Sequence, residues 1–467
     1  MTEAVAAVDL GATSGRVMLG YVGHNELSIR PVARFPNGPV AATDGSLHWD
    51  IMRLYGSVLG GLSSALREGH DIRSIGVDSW AVDYALLKAG ARLGEVFHYR
   101  DERNPPAAAR VHEAVTPEEL YSRNGLQYLP FNTLYQLSAE TDLAAADSFL
   151  LVPDLFGFWL TGRQVAERTN ASTTGLLDVT TREWDNALIE RLGLRVSIFP
   201  ELVDAGSTVG TLDSRVALNL GARETIAVTA VGSHDTASAV VAVPAISDDF
   251  AYISCGTWGL VGVELEAPVL TEASRAANFT NEGGVDGRVR YLHNVMGLWL
   301  LSESLRTWGR HDLPALLAEA SALRAPAAVF DANDAAFLAP GDMPARIASW
   351  FAERELQAPQ TPAEYVRSII ESLAVAFADA VETASALSGK SVSVIHIVGG
   401  GSQNELLCQL VADRSGLPVL AGPVEATAIG NVLVQARAQG LVVGSLESLR
   451  ALVTAAFSPV RYLPSAR

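Results

Sequence analysis

The chain has 467 residues, of which 49% are hydrophobic, and its 34 Lys and Arg against 52 Asp and Glu give a net charge of −18. This balance argues against nucleic acid or an anionic membrane as the main partner, because both bind basic surfaces. At roughly 150 residues a domain, the length predicts two or three domains. Two cysteines provide no disulfide framework, and the N-terminus lacks the pattern of a signal peptide. We therefore expect a cytoplasmic protein.

The chain opens on a predicted β-hairpin. Two apolar runs, 5–10 and 16–21, are predicted strands joined by a turn of glycine and hydroxyl residues. In such a turn, successive backbone N–H groups can form an anion-binding concavity. Asp9 stands at the end of the first strand and Arg16 at the start of the second. A phosphate with a metal ion beside it would fit these features, and an ordinary tight hairpin with a solvated arginine is the alternative.

A mixed α/β layer is predicted to follow the hairpin. A third strand over 27–35 and a helix over 51–67, with Asp50 as its N-cap, precede a further strand from residue 75. That strand and its continuation carry Asp78 and Asp83. Buried carboxylates are costly unless they bind a ligand or each other, so both are candidate polar sites.

A second candidate site stands at a predicted strand-to-helix junction. After an apolar helix over 150–160 and a polar loop over 167–175, a strand over 225–231 leads into a turn and a helix. Asp235 stands near the start of this helix, where a carboxylate can act as a general base or simply cap the helix. His234 is interpreted as a positioning residue. The sequence does not favour a Ser–His–Asp triad, because three adjacent residues are not expected to reach one another in that geometry and the glycine pattern of a nucleophile elbow is absent.

The second half of the chain repeats the opening architecture. The Pro-containing polar stretch 243–250 predicts a boundary between domains 1–245 and 246–467. A strand, a glycine and threonine turn that contains Thr257, and a second strand follow over 251–263. Two such hairpins facing each other would hold a polyphosphate from both sides.

A glycine-rich turn is the last candidate site. A long amphipathic helix over 364–387 and a strand over 392–398 precede the turn 399–404, which opens a helix over 405–415. Ligands of open α/β sheets bind at such strand ends, so nucleotide contact is predicted, with a tight βα turn as the alternative. The stretch 389–391 reads Gly-Lys-Ser but follows a helix and lacks the other P-loop glycine.

Taken together, these stretches resemble the FGGY-type carbohydrate kinases, the family that includes glycerol kinase and xylulokinase. The matching stretches are 9–16, 129–137, 233–239, 254–258, 281–284, 296–301, 399–404 and 422–426. The resemblance covers nearly the whole chain. It implies an α/β fold of two actin/hexokinase-like (ribonuclease H-like) domains with a ligand cleft between them.

The resemblance also implies an activity and its residues. The γ-phosphate of ATP would be transferred to the C1 hydroxyl of a ketose, which the closest motifs imply to be L-rhamnulose. Asp235 would accept the hydroxyl proton, and Mg²⁺ would lie near Asp9, bound mostly through water. The implied contacts of ATP are Ala12, Thr13, Ser14, Gly15, Arg16, Thr257 and Gly400. The implied contacts of the sugar are Ala81, His234, Asp235, Thr236 and Asn294.

Two departures from the family pattern leave alternatives open. Ala81 stands where a glycine is typical, which puts the preferred ketose in doubt, and Ser302 stands where a nucleotide-contacting glutamine is expected. The alternatives are an L-fuculose or xylulose kinase of the same family, a non-catalytic sugar or nucleotide sensor, and an actin-like ATPase. The sequence does not decide between a monomer and a homodimer.

Overall fold

The computed structural model describes residues 3–23, 26–222, 226–323 and 328–465. The strands, numbered in chain order, are β1 Glu3–Leu10, β2 Ser14–Gly23, β3 Glu26–Pro36, β4 Pro39–Ala41, β5 Leu47–Trp49, β6 Asp71–Ser79, β7 Tyr84–Lys88, β8 Ala91–Leu93, β9 Val96–Phe97, β10 Ser148–Leu151, β11 Ala166–Glu167, β12 Leu202–Val203, β13 Thr208–Thr211, β14 Ala227–Thr229, β15 Phe250–Cys255, β16 Trp258–Leu265, β17 Thr280–Gly283, β18 Val289–Met296, β19 Val394–Val398, β20 Val419–Ala421 and β21 Val460–Tyr462.

The α-helices are numbered in the same way. They are α1 Ile51–Arg67, α2 Asn104–Ala114, α3 Pro117–Asn124, α4 Thr133–Ser138, α5 Val152–Thr161, α6 Arg168–Ala171, α7 Asn186–Arg191, α8 Ser214–Leu220, α9 Asp235–Val241, α10 Glu272–Ala276, α11 Trp299–Trp308, α12 Leu313–Ala322, α13 Met343–Ala352, α14 Pro362–Ser388, α15 Glu405–Ser415, α16 Ala426–Ala438 and α17 Leu446–Ala456. Among the described residues, no helix combines the length and the apolar character that a membrane span requires.

The chain folds into two compact units, each assembled from several segments. The first unit consists of Met1–Ile246, Glu264–Tyr291 and Ala426–Phe457. The second unit consists of Ser247–Val263, Leu292–Glu425 and Ser458–Arg467. The division into domains 1–245 and 246–467 stays a prediction. The first unit also contains two segments from the second predicted domain, Glu264–Tyr291 and Ala426–Phe457.

The first unit is built on a six-stranded sheet in the order β13-β14-β6-β1-β2-β3. β1 pairs antiparallel with β2 and parallel with β6. The opening hairpin and the mixed α/β layer are therefore confirmed. The register sets Asp9 opposite Arg16 on one side and opposite Asp78 on the other. Three charged residues thus meet near the carboxyl end of β1.

Helix α16 of the first unit connects this sheet to α9. Gln435 donates from its Nε2 to the carbonyl of Ala6 in β1 at 3.0 Å. At Gly430, a Cβ atom would lie 1.8 Å from the carbonyl oxygen of Ser238 in α9. The two helices therefore touch backbone to backbone, and α9 is fixed against the sheet that carries Asp9.

Two predicted elements of the first unit differ from the structure. The predicted helix over 150–160 is wrong at its start, because Ser148–Leu151 is strand β10, paired antiparallel with β7. The helix begins only at Val152, where Pro153 stands in its first turn. The predicted strand over 225–231 is shorter than expected as β14, and Thr225 lies outside the described residues.

The second unit contains the second predicted hairpin. β15 pairs antiparallel with β16 and parallel with β19, which pairs parallel with β20. The long predicted helix is α14, which begins with a capping box of Thr361 and Glu364 and ends at Gly389 in the left-handed conformation. The Gly-Lys-Ser stretch therefore begins at the C-cap of a helix and does not follow a strand, as predicted.

Candidate active site

The turn of the opening hairpin is closed by its own backbone and by one side chain. Gly11 donates its N–H to the carbonyl of Ser14 at 3.0 Å. Asn37 donates from Nδ2 to the carbonyl of Gly11 at 2.9 Å and from its backbone N–H to Thr13 at 3.0 Å. The side chains of Thr13 and Ser14 are exposed. The turn is therefore a braced hairpin tip that presents hydroxyl groups, which suits an anion.

The two residues at the end of this turn, Gly15 and Arg16, make different contacts. At Gly15, a Cβ atom would lie 2.2 Å from Cε2 of Phe35 in β3, so any side chain here would displace that ring. Arg16 forms an ion pair with Asp9, with Nε 2.9 Å from Oδ2. The guanidinium is thus partly neutralised by the carboxylate beside it.

An acidic cluster lies beside the turn, and it suits a hydrated divalent cation. Asp9 and Asp78 are buried on adjacent strands, and Asp78 Oδ2 accepts a hydrogen bond from Asn431 Nδ2 at 2.5 Å. Burial, and then the negative charges of Asp9 and Asp235, raise the pKa of Asp78 well above its usual value. Among the described residues, no three His, Cys, Asp or Glu side chains form a metal cage. These donors fit Mg²⁺, which keeps several waters and takes one or two carboxylates.

The structure brings Asp235 to the same region. The N–H of Ser79, at the end of β6, donates to the carbonyl of Ser233 at 2.9 Å, so the turn before α9 follows the end of that strand. α9 then begins at Asp235, with His234 in the N-cap position. The Asp235 side chain is 30% exposed, and Thr236 Oγ1 donates to its Oδ1 at 3.2 Å. A carboxylate at this junction is both held in place and accessible to a ligand.

Glu167 holds the turn before Asp235 from the other side. Its carboxylate accepts the backbone N–H and the hydroxyl of Ser233, at 3.0 and 2.9 Å, and the N–H of Thr169 at 3.0 Å. Burial raises the pKa of Glu167, and these hydrogen bonds oppose the rise. The prediction of a polar loop over 167–175 is wrong, because the Glu167 side chain caps the short helix α6 within it.

Sequence reasoning missed two charged residues next to His234. Glu282 in β17 and Arg290 in β18 are buried, and Arg290 Nη2 lies 3.1 Å from Glu282 Oε2. The same Nη2 lies 3.0 Å from His234 Nδ1. The available signal was confined to Arg290, which interrupts an apolar stretch where a buried charge needs a partner.

Asp83, two residues after the predicted sugar contact Ala81, lies among aromatic residues. The buried carboxylate of Asp83 accepts hydrogen bonds from the indoles of Trp49 and Trp80, at 2.6 and 2.9 Å, from Gln136 Nε2 at 2.8 Å, and from the N–H of Tyr99 at 3.3 Å. Burial raises its pKa to about 6. We call these five residues the Asp83 cluster.

Ala81 lies two residues before Asp83, on a stretch of backbone that is held by hydrogen bonds. The next residue, Val82, has φ of 69°, a conformation that costs a β-branched residue energy. Thr133 Oγ1 donates to the carbonyl of Val82 at 2.7 Å, and the N–H of Asp83 donates to the carbonyl of Ala81 at 2.9 Å. The methyl group of Ala81 is therefore fixed in position.

In the second unit, the start of α11 braces the turn that contains Thr257. The N–H groups of Leu298 and Trp299 donate to the carbonyls of Gly256 and Thr257, at 2.9 and 3.1 Å. The N–H of Gly256 donates to the carbonyl of Trp258 at 2.8 Å, as a tight hairpin turn requires. This turn has the braced form of the opening one.

The glycine-rich turn after β19 also lies in the second unit. Gly399 has φ of +82°, and a Cβ atom at Gly401 would lie 2.2 Å from Cys255 Sγ. Both glycines are thus required by the chain itself. Gly400 is exposed, and a Cβ atom there would meet no heavy atom within 4 Å. Of the three glycines, Gly400 is the one that faces open space.

The predicted site residues are distributed over the two units. The first unit contains Asp9, Ala12, Thr13, Ser14, Gly15, Arg16, Ala81, His234, Asp235 and Thr236, and the second contains Thr257, Asn294 and Gly400. Asn294 lies in β18 and is partly buried, whereas Ser302 is exposed on α11.

Sequence comparison places the whole chain among known kinases. Residues 4–242 match the N-terminal domain, and residues 251–439 the C-terminal domain, of the FGGY family of carbohydrate kinases. Among similar curated proteins, the rhamnulokinase of Bacteroides thetaiotaomicron is 40% identical over 94% of this chain and 92% of its own. The rhamnulokinase of Yersinia pestis bv. Antiqua (strain Angola) is 42% identical over 92% of this chain and 88% of its own.

Solved structures agree on the fold. Xylulose kinase from Lactobacillus acidophilus matches with a TM-score of 0.79 at 17% identity, over 99% of this chain and 94% of that one. Plasmodium falciparum glycerol kinase with ADP matches with a TM-score of 0.78 at 15% identity, over the same shares of the two chains. These likenesses confirm the two-domain actin/hexokinase-like α/β fold. From the two family domains and the identity to its relatives, the chain belongs to the FGGY family of carbohydrate kinases.

Proposed function

We propose that the protein transfers the γ-phosphate of ATP to the C1 hydroxyl of L-rhamnulose. Relatives named rhamnulokinase, 40 and 42% identical over most of the chain, support this ketose. The observation that supports this chemistry is the placement of Asp235, a partly exposed carboxylate at the start of α9. Its negative charge and that of Asp9 both act on the buried Asp78.

Asp235 is assigned the role of general base. Thr236 and His234 contact its Oδ1, at 3.2 and 3.4 Å. These contacts fix the carboxylate at the helix start while leaving it accessible. A carboxylate held in this way can accept the proton of the C1 hydroxyl as its oxygen attacks the γ-phosphorus. His234, Thr236, Ala81 and Asn294 are assigned as sugar contacts.

The phosphates of ATP are assigned to backbone-rich turns. Residues 12–16 of the opening turn, Thr257 and Gly400 are the proposed contacts. Asp9 would hold magnesium, mostly through water, and the metal would supply charge neutralisation on the phosphates. In phosphoryl transfer the protein contributes mainly positioning and electrostatic stabilisation, and N–H groups of braced turns provide both. We place the reaction in the cytoplasm, where the free, buried Cys255 and Cys408 would stay reduced.

The substitution Asp235→Asn tests the assignment of the base. We expect kcat to fall by about 10²–10⁴, with the Kd of Mg²⁺-bound ATP little changed, because the proposed phosphate contacts stay in place. Asp50→Asn, the same change at the start of α1, is the matched control and should leave kcat unchanged. Near-normal turnover of the Asp235 variant would overturn the assignment.

A coupled ADP-release assay tests the ketose. L-rhamnulose, L-fuculose, L-xylulose and D-xylulose are compared at equal concentration, and we expect the highest kcat/KM for L-rhamnulose. A preference for another ketose would support one of the alternative kinases and would point to the fixed methyl group of Ala81 as the cause. No ADP release with any of them would favour the sugar or nucleotide sensor.

A further inference from the structure

Glu282 and Arg290 form a fixed ion pair that the proposed reaction does not yet use. The Arg290 side chain is 0% exposed, and its Nη2 lies 3.1 Å from Glu282 Oε2. Arg290 also donates from Nε to the carbonyl of Gly283 at 2.9 Å. A buried guanidinium with partners on two sides has one orientation. Its remaining donors therefore point in directions set by the fold.

One of those donors points at the imidazole of His234. Nδ1 of the ring lies 3.0 Å from Arg290 Nη2 and 3.2 Å from Glu282 Oε2, and Nε2 lies 3.4 Å from Asp235 Oδ1. A guanidinium can only donate, so Nδ1 accepts in this contact. A neutral imidazole whose Nδ1 accepts carries its proton on Nε2. The proton then faces Asp235.

We propose that Arg290 and Glu282 are positioning residues that hold His234 as the neutral, Nε2-protonated imidazole, with that N–H directed at Asp235 Oδ1. The inference rests on the proposed function, in which Asp235 is the base. The donors of His234 and Thr236 both go to Oδ1, so the hydroxyl proton of the sugar goes to Oδ2. As the sugar O–H bond breaks, the oxygen bonds to the γ-phosphorus and the bond from that phosphorus to ADP breaks.

The ion pair keeps a positive charge away from the base. Without Arg290, Nδ1 would take up a proton from water and donate it in a hydrogen bond to Glu282, and the ring would become a cation beside Asp235. A neighbouring cation stabilises a carboxylate and makes it a weaker base. The charged groups that face the ring are thus Asp235, Glu282 and Arg290. Further out, Glu167 binds Ser233, the residue before His234, and Asp78 is electrostatically linked to Asp235.

Nitrogen NMR of the full-length enzyme, with ¹⁵N in its histidine rings, directly tests which nitrogen of His234 carries the proton. His234→Gln identifies the resonances of the ring. In the unaltered enzyme without substrate, we expect the ring at pH 8 to be neutral with its proton on Nε2. A cationic ring, or a proton on Nδ1, would overturn the proposal. This measurement needs no turnover, so it stands apart from the outcome for Asp235→Asn.

Kinetics of Arg290→Gln provide the second readout. We expect kcat at pH 7 to fall about tenfold or more, with the KM of ATP within about twofold, and kcat to recover as the pH rises and the ring loses its added proton. Arg290→Lys keeps a donor and should lose less. Arg437→Gln, which breaks an ion pair with Asp286 in the same unit, is the matched control. A loss of kcat that is equal at every pH would contradict the proposal. If Arg290→Gln does not fold, Arg290→Lys and the spectrum of the unaltered enzyme decide.

Discussion

Asp83→Asn should destabilise the protein, because it removes the common acceptor of four N–H groups. Trp49, Trp80, Gln136 and the N–H of Tyr99 all donate to this buried carboxylate. An asparagine has one acceptor oxygen and adds an amide donor, so at least one N–H group of the Asp83 cluster would lose its partner. Each buried, unsatisfied polar group costs about 1–3 kcal/mol. We therefore expect a loss of at least that size in the free energy of unfolding.

The loss should depend on pH in a defined direction. Burial raises the pKa of Asp83 to about 6, from 3.8 in an exposed chain, so the native state binds a proton that the unfolded state releases. The stability contributed by Asp83 is therefore greatest at low pH and falls as the pH rises toward 6 and beyond. Between pH 5 and 7.5 this contribution should fall by about 1.4 kcal/mol. The asparagine variant lacks this dependence.

Urea unfolding at several pH values measures both effects. The stability difference between the parent and Asp83→Asn should be larger at pH 5 than at pH 7.5. Asp142→Asn removes the same charge from an exposed position in the same unit and serves as the control. A stability difference that is constant with pH, or that grows as the pH rises, would refute the reasoning about the buried carboxylate.

Two further substitutions test packing. Gly15→Ala should lower the free energy of unfolding by about 1–3 kcal/mol and raise the KM of ATP, because the added Cβ meets Phe35. Phe35→Ala in the same chain should restore the KM. If the KM is not restored, the glycine is needed instead for the close approach of the ligand to the backbone. Arg450→Met should cost about 3–5 kcal/mol in urea unfolding, since it leaves the buried Glu264 without its ion-pair partner, and adding Glu264→Met should recover much of the loss. An equally unstable double variant would contradict this account.

Sequence patterns predicted those elements whose ends are determined by residues within the element itself. The opening hairpin was predicted from two apolar runs around a glycine turn, and α14 from its periodicity, because both signals lie within the element itself. The start of α5 could not be predicted in this way. Whether Ser148–Leu151 forms a strand depends on its pairing with β7, some 60 residues earlier. An apolar run of this length is compatible with either structure until its partner is known.

The same distinction holds for the candidate site. Asp235 was found because a strand, a turn and a helix start are adjacent in sequence, and Asp78 because it interrupts an apolar strand. Arg290 interrupts β18 in the same way, but Glu282 lies in the polar strand β17, and the partner of both, His234, lies about 50 residues away. Pairing at that distance leaves no periodic signal in one sequence. The structure was needed to show that these charges meet.

The acidity of the site constrains how it can hold a polyphosphate. Asp9, Asp78 and Asp235 are electrostatically linked, and the nearest arginine of the turn, Arg16, is already paired with Asp9. ATP alone would therefore meet net repulsion in the first unit. Backbone N–H groups can bind the phosphates without adding charge, and a hydrated Mg²⁺ offsets the carboxylates. The carboxylates of the first unit thus favour ATP that carries its metal ion over ATP alone.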